Sequence, residues 1–118
     1  MRYNVHMQVV FFRTAAGREP VREYFTALAE SERAAAADVF CALRQHGLQA
    51  PGVVFRQVRG KLWEFRVIGK ISHRVFYVTV LGTTMVLLHS YKKQGQKAPL
   101  REIAVAERRK REVFHEKQ

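Results

Sequence analysis

Two kinds of side chain in this sequence are equipped for chemistry on a polyanion: clustered cations, and the aromatic and imidazole groups interleaved with them. Nine of the 21 Lys and Arg residues fall within residues 53–97: Arg56, Arg59, Lys61, Arg66, Lys70, Arg74, Lys92, Lys93 and Lys97. The same segment holds a single acid, Glu64, so it carries +8 of the net charge of +11. Residues 1–52 carry +1 and residues 98–118 carry +2. Positive charge concentrated in this way favours an anionic partner. The densest run is Tyr91-Lys92-Lys93-Gln94-Gly95-Gln96-Lys97. Three flexible cations beside an aromatic ring, with Gly95 relaxing the backbone, suit a bent phosphodiester. A solvated loop with Tyr91 capping the core is the plainer reading of the same residues.

Other familiar chemistry is missing. No Gly-rich phosphate loop of the G-x-x-x-x-G-K-[ST] or G-x-G-x-x-G kind occurs. The five histidines, His6, His46, His73, His89 and His115, are scattered, and the lone Cys41 cannot build a Cys-based zinc site. No metal or cofactor is therefore expected. Cys41, between Phe40 and Ala42, reads as a buried structural thiol. Its isolation excludes a disulfide framework and makes a reducing cytoplasm the expected compartment. No apolar run approaches the ~20 residues that span a bilayer, so no membrane partner is expected. His89, inside the apolar run Met85–Tyr91, is either a base near the end of a strand or a satisfied core histidine.

These residues need elements to position them. Residues 5–13 are β-branched and aromatic and predict a first strand. Pro20 suits the first turn of a helix, and Val21, Tyr24, Phe25 and Leu28 follow at helical spacing. Ser31 is a suitable N-cap for a second helix with Val39, Phe40 and Leu43 as its core stripe, ended by Gly47. After Pro51 the period changes to short β-branched runs separated by Gly60, Gly69 and Gly82, which predicts an antiparallel meander. From Pro99 the period is helical again, and Glu107 is spaced to pair with Arg111. The chain is thus one α+β domain, residues 1–118: an N-terminal strand, a helical hairpin, an antiparallel β-meander and a C-terminal helix. Alternation sets Arg66 beside Leu62, Glu64 and Ile68, and Arg74 beside Phe76 and Val78, with Tyr77 opposite Arg74. A sheet covered on one side and open, basic and aromatic on the other is the expected surface, suited to RNA.

Several segments together resemble a known family. They are Phe12-Arg13-Thr14, Gly17-Arg18-Glu19-Pro20-Val21, Lys61-Leu62-Trp63-Glu64-Phe65-Arg66, His73-Arg74-Val75-Phe76-Tyr77, Leu87-Leu88-His89-Ser90-Tyr91-Lys92-Lys93, and Gln96-Lys97-Ala98-Pro99 with Glu102-Ile103. In this order they are similar to the phage-derived HigB-like toxins of the RelE/ParE superfamily of type II toxin–antitoxin systems. The resemblance implies a small toxin silenced by a helix-turn-helix (HigA-like) antitoxin. RelE- and HigB-like members cleave mRNA in the ribosomal A site, whereas ParE-like members inhibit DNA gyrase.

On this resemblance Arg66 matches a phosphate-stabilising arginine, with Arg74, Lys92 and Lys93 as further catalytic cations. The sequence lacks the C-terminal catalytic tyrosine of RelE and the His-Asp-Tyr-His ending of some HigB toxins. Tyr77, Tyr91, His89 or a lysine would then move the protons. Arg56, Arg59, Lys61, His73, Tyr91 and Lys97 are the expected RNA contacts. The expected function is a metal-independent, ribosome-dependent mRNA endoribonuclease; a ParE-like gyrase inhibitor or a non-catalytic nucleic-acid-binding module is the alternative. The Arg108–Arg111 run reads as a solvated helix face, and Val113 and Phe114 as either sheet packing or an antitoxin contact.

Overall fold

The computed structural model describes residues 7–115. It contains β1 (Gln8–Phe11), α1 (Pro20–Thr26), α2 (Glu30–His46), β2 (Phe55–Arg59), β3 (Leu62–Val67), β4 (His73–Val80), β5 (Thr84–Lys92) and α3 (Leu100–Val113). This is the α+β order expected from the sequence. Strand β1 is shorter than the expected run of residues 5–13, of which Val5 and His6 lie outside the described residues.

The five strands form one sheet in the order β1-β5-β4-β3-β2. Short connections make β2 to β5 an antiparallel meander, and β1 adds to β5 in parallel, Val9 opposite Met85 and Phe11 opposite Leu87. A parallel neighbour needs a long crossover, and the α1–α2 hairpin supplies it by carrying the chain from one sheet edge to the other. Pro20 opens α1 as expected. Helix α2 begins one residue before Ser31, with Ala29 as its N-cap and Glu30 and Glu32 in the first turn, where carboxylates complement the helix dipole. Gly47 ends it at φ 58°, a left-handed conformation that glycine adopts without a Cβ clash.

Both sides of the sheet are covered, which corrects the expected open face. The hairpin buries Val21, Phe25, Phe40 and Leu43 against Phe65, Val67, Val75, Tyr77, Met85 and Leu87. On the opposite side α3 lays Ile103 and Ala106 on Leu62, Phe76, Val78 and Leu88. Val113 and Phe114 pack at the border of this second core, and the Phe114 ring lies 4.6 Å from the Lys61 ammonium. Glu107 pairs with Lys110 at 3.6 Å, not with Arg111. Cys41 is exposed rather than buried, because it faces away from the stripe formed by Ala36, Phe40 and Leu43.

Strand β5 departs from regular alternation where it matters for function. Tyr77 lies opposite Leu87 but Phe76 lies opposite His89, so Leu88 is an extra residue in the ladder. Such a bulge re-aims the side chains that follow. Leu88 joins the α3-side core, and His89 stacks on Phe76 on that same side, with rings 6.3 Å apart and 9° from parallel.

Candidate functional site

The meander places Arg66 of β3, Arg74 of β4 and Tyr91 of β5 in one row across the sheet. They share the α3 side of the sheet, at the end that α3 leaves to polar residues. Like charges directly opposite one another repel, and the structure resolves the Arg66–Arg74 pairing by giving the two guanidiniums different environments.

Arg74 is 1% exposed; both its terminal nitrogens are engaged, while its Nε, like that of Arg66, has no hydrogen-bond acceptor. Its Nη2 donates to the carbonyls of Gln96 at 2.9 Å and Gly95 at 3.2 Å, and its Nη1 donates to the Tyr91 hydroxyl at 3.4 Å. Its Nε lies 3.8 Å from Oε1 of the equally buried Glu64. A buried cation needs this many partners to offset its desolvation. Arg74 is therefore a tether that folds the segment after β5 back across the sheet, and it is not open to a phosphate as the sequence suggested. Arg56 donates to the same Gln96 carbonyl at 3.3 Å from the other side. The two arginines fix the lysine-bearing loop that carries Lys93 and Lys97.

Arg66 is half-buried, and its side chain forms no hydrogen bond or ion pair among the described residues. Its Nε is shielded from water and lacks an acceptor. Buried donors are nearly always satisfied, so an orphaned one calls for an explanation. A guanidinium pairs most strongly with an oxyanion that takes two parallel hydrogen bonds, as phosphate does.

Next to this row stands His89. Its Nε2 is 2.7 Å from Oε1 of Glu102 in the first turn of α3, and Arg109 Nη1 is 3.4 Å from its Nδ1. Burial lowers the His89 pKa, against the opposing pull of Glu102, so the ring favours the neutral form. In the matching tautomer Nε2–H donates to Glu102, and Nδ1 keeps only the long contact from Arg109. The His89 and Tyr91 rings lie 6.4 Å apart. Burial also raises the Tyr91 hydroxyl pKa, while its bond from Arg74 pulls the other way.

The remaining expected residues lie elsewhere. Tyr77 is 2% exposed on the hairpin side, packed against Phe55 and Phe65, and burial raises its pKa strongly; it cannot stand in for a catalytic tyrosine on the Arg66 side. His73, also 2% exposed and on the hairpin side, is held between the Tyr24 hydroxyl at 2.6 Å and Glu32 at 2.7 Å, so it is no RNA contact. Lys92 pairs with His73 in the ladder and shares its side. Arg59 and Lys61 flank the β2–β3 turn, about five residues or ~16 Å along β3 from Arg66. Of the expected residues, Arg56, Arg66, Arg74, His89, Tyr91, Lys93 and Lys97 gather at one end of the sheet.

Three contributors were given no role in the site by the sequence. Glu102 orients His89, and its placement in the first turn after Pro99 is the one local signal for it. Glu64 is the buried counterion of Arg74. Arg109, read as part of a solvated run, donates to the Leu88 carbonyl at 2.9 Å and approaches His89. Among the described residues no three His, Cys, Asp or Glu side chains come together as a metal-binding group. No helix among them is long and apolar enough to cross a membrane.

A five-stranded sheet carries a helical hairpin on one side, and on the other a recessed arginine with no side-chain partner among the described residues beside a tethered basic loop; together they form a small basic α+β domain. Its family follows from comparison with known proteins: the chain belongs to the phage-derived protein Gp49-like family, whose model matches residues 23–111. That is more than half of its 118 residues. This family is associated with RelE- and HigB-like toxins. No curated protein matches the chain.

Proposed function

We propose that this protein is the toxin of a type II toxin–antitoxin pair and acts as an mRNA endoribonuclease on the ribosome. The observation that carries the reading is Arg66: a half-buried guanidinium with no side-chain partner among the described residues, near a lysine-bearing loop whose backbone is tethered at Gln96 by Arg74 and Arg56. Membership in the Gp49-like family supports the toxin context. A helix-turn-helix antitoxin of the HigA kind is the expected neutralising partner.

RNA brings its own nucleophile. The 2′-oxygen attacks the adjacent phosphorus, an O–P bond forms, and the P–O5′ bond breaks to leave a 2′,3′-cyclic phosphate and a 5′-hydroxyl. The 2′-hydroxyl proton passes to a base, and the departing 5′-oxygen takes a proton from water. In this reading Arg66 donates to the non-bridging oxygens as their negative charge grows, the moment at which a preorganised donor contributes most. Lys93 and Lys97 hold the flanking phosphates. His89, neutral and oriented by Glu102, takes the proton on Nδ1. Arg74 positions the loop and touches no substrate.

Primer-extension mapping of transcripts after brief induction tests the reading. Cuts within translated codons are expected. Intact transcripts accompanied by altered DNA supercoiling would replace it with gyrase inhibition, and salt-sensitive RNA binding without cleavage would replace it with a binding module.

A further inference from the structure

A second built feature lies where α2 stops covering the sheet. Gly47 ends the helix, and the chain passes through a single 3₁₀ turn, Gly47–Gln49, which contributes Leu48. Past that point Phe55 of β2, Trp63 of β3, and Tyr77 and Thr79 of β4 share the hairpin side of the sheet. Trp63 lies opposite Tyr77 in the ladder, and Phe55 lies opposite Phe65 one alternation away. Together with Leu48 these four residues line an open cleft of about 350 Å³. Small-molecule sites are on the order of 300–1,000 Å³, mostly apolar and aromatic with a few polar groups.

The lining is unfinished as protein core. Trp63 and Leu48 are exposed. The Trp63 indole stacks on no other ring, and its N–H has no acceptor among the described residues. Tyr77 is the reverse case. Its ring is buried against Phe55 and Phe65, with centroids 6.2 and 5.8 Å away. Its hydroxyl nevertheless makes no hydrogen bond among the described residues and is not sealed from solvent. A buried tyrosine normally finds a partner for its O–H. Here the hydroxyl opens on the cleft that the residue lines, and burial raises its pKa, so it stays neutral and can both donate and accept. Thr79 adds a second hydroxyl roughly 7 Å further along the same face of β4.

Charge narrows what fits. The protein carries a net charge of +11, yet no acid or base lines this cleft. A phosphate gains nothing from such a lining, and an RNA strand would bring its phosphates against it. An exposed indole beside buried aromatic rings favours a flat π-face, and two hydroxyls on one wall favour heteroatoms along the edge of that plane. We propose that this cleft binds a free, uncharged, planar heteroaromatic molecule of nucleoside size, held against Trp63 and hydrogen-bonded by Tyr77 and Thr79. This is a small-molecule site on the opposite side of the sheet from Arg66, and it does not rest on the nuclease reading.

Trp63 is the single tryptophan of the chain, so its fluorescence and its indole N–H resonance report on this cleft directly. The test titrates the whole protein, isotope-labelled for NMR, with three probes: adenosine, cyclohexylmethanol as an apolar molecule without a π-face, and a short adenosine–uridine RNA. Adenosine is expected to quench Trp63 saturably and to move its indole resonance together with the amides of Tyr77 and Thr79. Its binding should be the same at low and high salt, because no charges pair. Tyr77→Phe keeps the ring in the core and removes the hydroxyl. Its affinity for adenosine should fall about 10-fold, with an unchanged spectrum elsewhere verifying the fold. Trp63→Leu, followed through the Thr79 amide, should abolish saturable binding.

Absence of saturable binding, equal binding of cyclohexylmethanol, or a Tyr77→Phe affinity equal to the parent's would each overturn the proposal. So would RNA that quenches Trp63 at lower concentration than adenosine and loses that effect with salt, since the cleft would then serve a strand and not a free molecule. None of these readouts involves cleavage, so the small-molecule site and the nuclease reading stand or fall separately.

Discussion

The two sides of the sheet hold the same three residue types in different settings. On the hairpin side His73 lies 2.7 Å from Glu32 and 2.6 Å from the Tyr24 hydroxyl. On the α3 side His89 lies 2.7 Å from Glu102, and its ring neighbours Tyr91. The difference is access. The His73 side chain is 2% exposed, and both ring nitrogens have strong partners, so the group ties α1 and α2 to β4. The His89 and Glu102 side chains are 18% and 20% exposed, Nδ1 is weakly engaged, and an unpaired arginine stands on the same side of the sheet. A His–Glu contact is therefore not by itself a site. An unsatisfied neighbour and a path to solvent make His89 the candidate and His73 a structural tie.

The same contrast separates two adjacent arginines, and it yields the largest expected effect. Arg74→Ala leaves Glu64 buried without its cation and frees the loop, so a loss of about 3–5 kcal/mol is expected by denaturant melting. Adding Glu64→Leu to an Arg74→Met variant should recover most of it, since an apolar pair needs no charge compensation. A smaller loss in the single variant than in the double would show that Glu64 does not depend on Arg74 as its buried counterion.

Next in size is His89→Asn. It should lower cleavage about 10²-fold or more with the fold intact, as removal of a general base does. The pH profile sharpens this. Burial depresses the folded-state pKa of His89 below the usual 6.5, so the acid limb of activity should fall below that value. The same shift has a stability sign: the unfolded chain binds the proton more readily, so the contribution is complete above pH 6.5 and is lost as the pH falls below it. An acid limb above 6.5 would exclude His89 as the base.

The smallest effect belongs to the sealed counterpart. His73→Ala leaves Tyr24 and Glu32 without their shared partner and should cost about 1–3 kcal/mol of stability. Cleavage per folded molecule should stay at the parent level. A drop in cleavage as large as that of His89→Asn, at a temperature where the protein is folded, would erase the distinction between the two sides.

Much of this organisation could be read from local pattern. Pro20 with Val21, Tyr24 and Phe25 defined α1, and the glycines after Pro51 marked a meander, because both signals act between near neighbours. Strand alternation already set Tyr77 against Arg74, and the structure shows why that matters: Tyr77 belongs to the core under the hairpin. The engagement of Arg74 was out of reach because its partners, the Gly95 and Gln96 carbonyls, are about twenty residues away and arrive only when the loop folds back. The aim of His89 depends on the extra Leu88 in β5, and a period-two reading has no means to detect an inserted residue. The expected open face is sealed by Ile103 and Ala106 of α3, which cover Leu62, Phe76 and Leu88, a contact between distant elements that no local pattern encodes.

The central claim is that Arg66 is recessed for a phosphate and not for the fold. Its most direct test is the rate at which purified Arg66→Ala protein cleaves mRNA on translating ribosomes, measured beside its melting curve. Loss of one preorganised donor to a developing oxyanion typically costs about 10²–10³-fold, and that loss is expected here with stability within about 1 kcal/mol of the parent. A folded Arg66→Ala protein that cleaves at the parent rate would contradict the account.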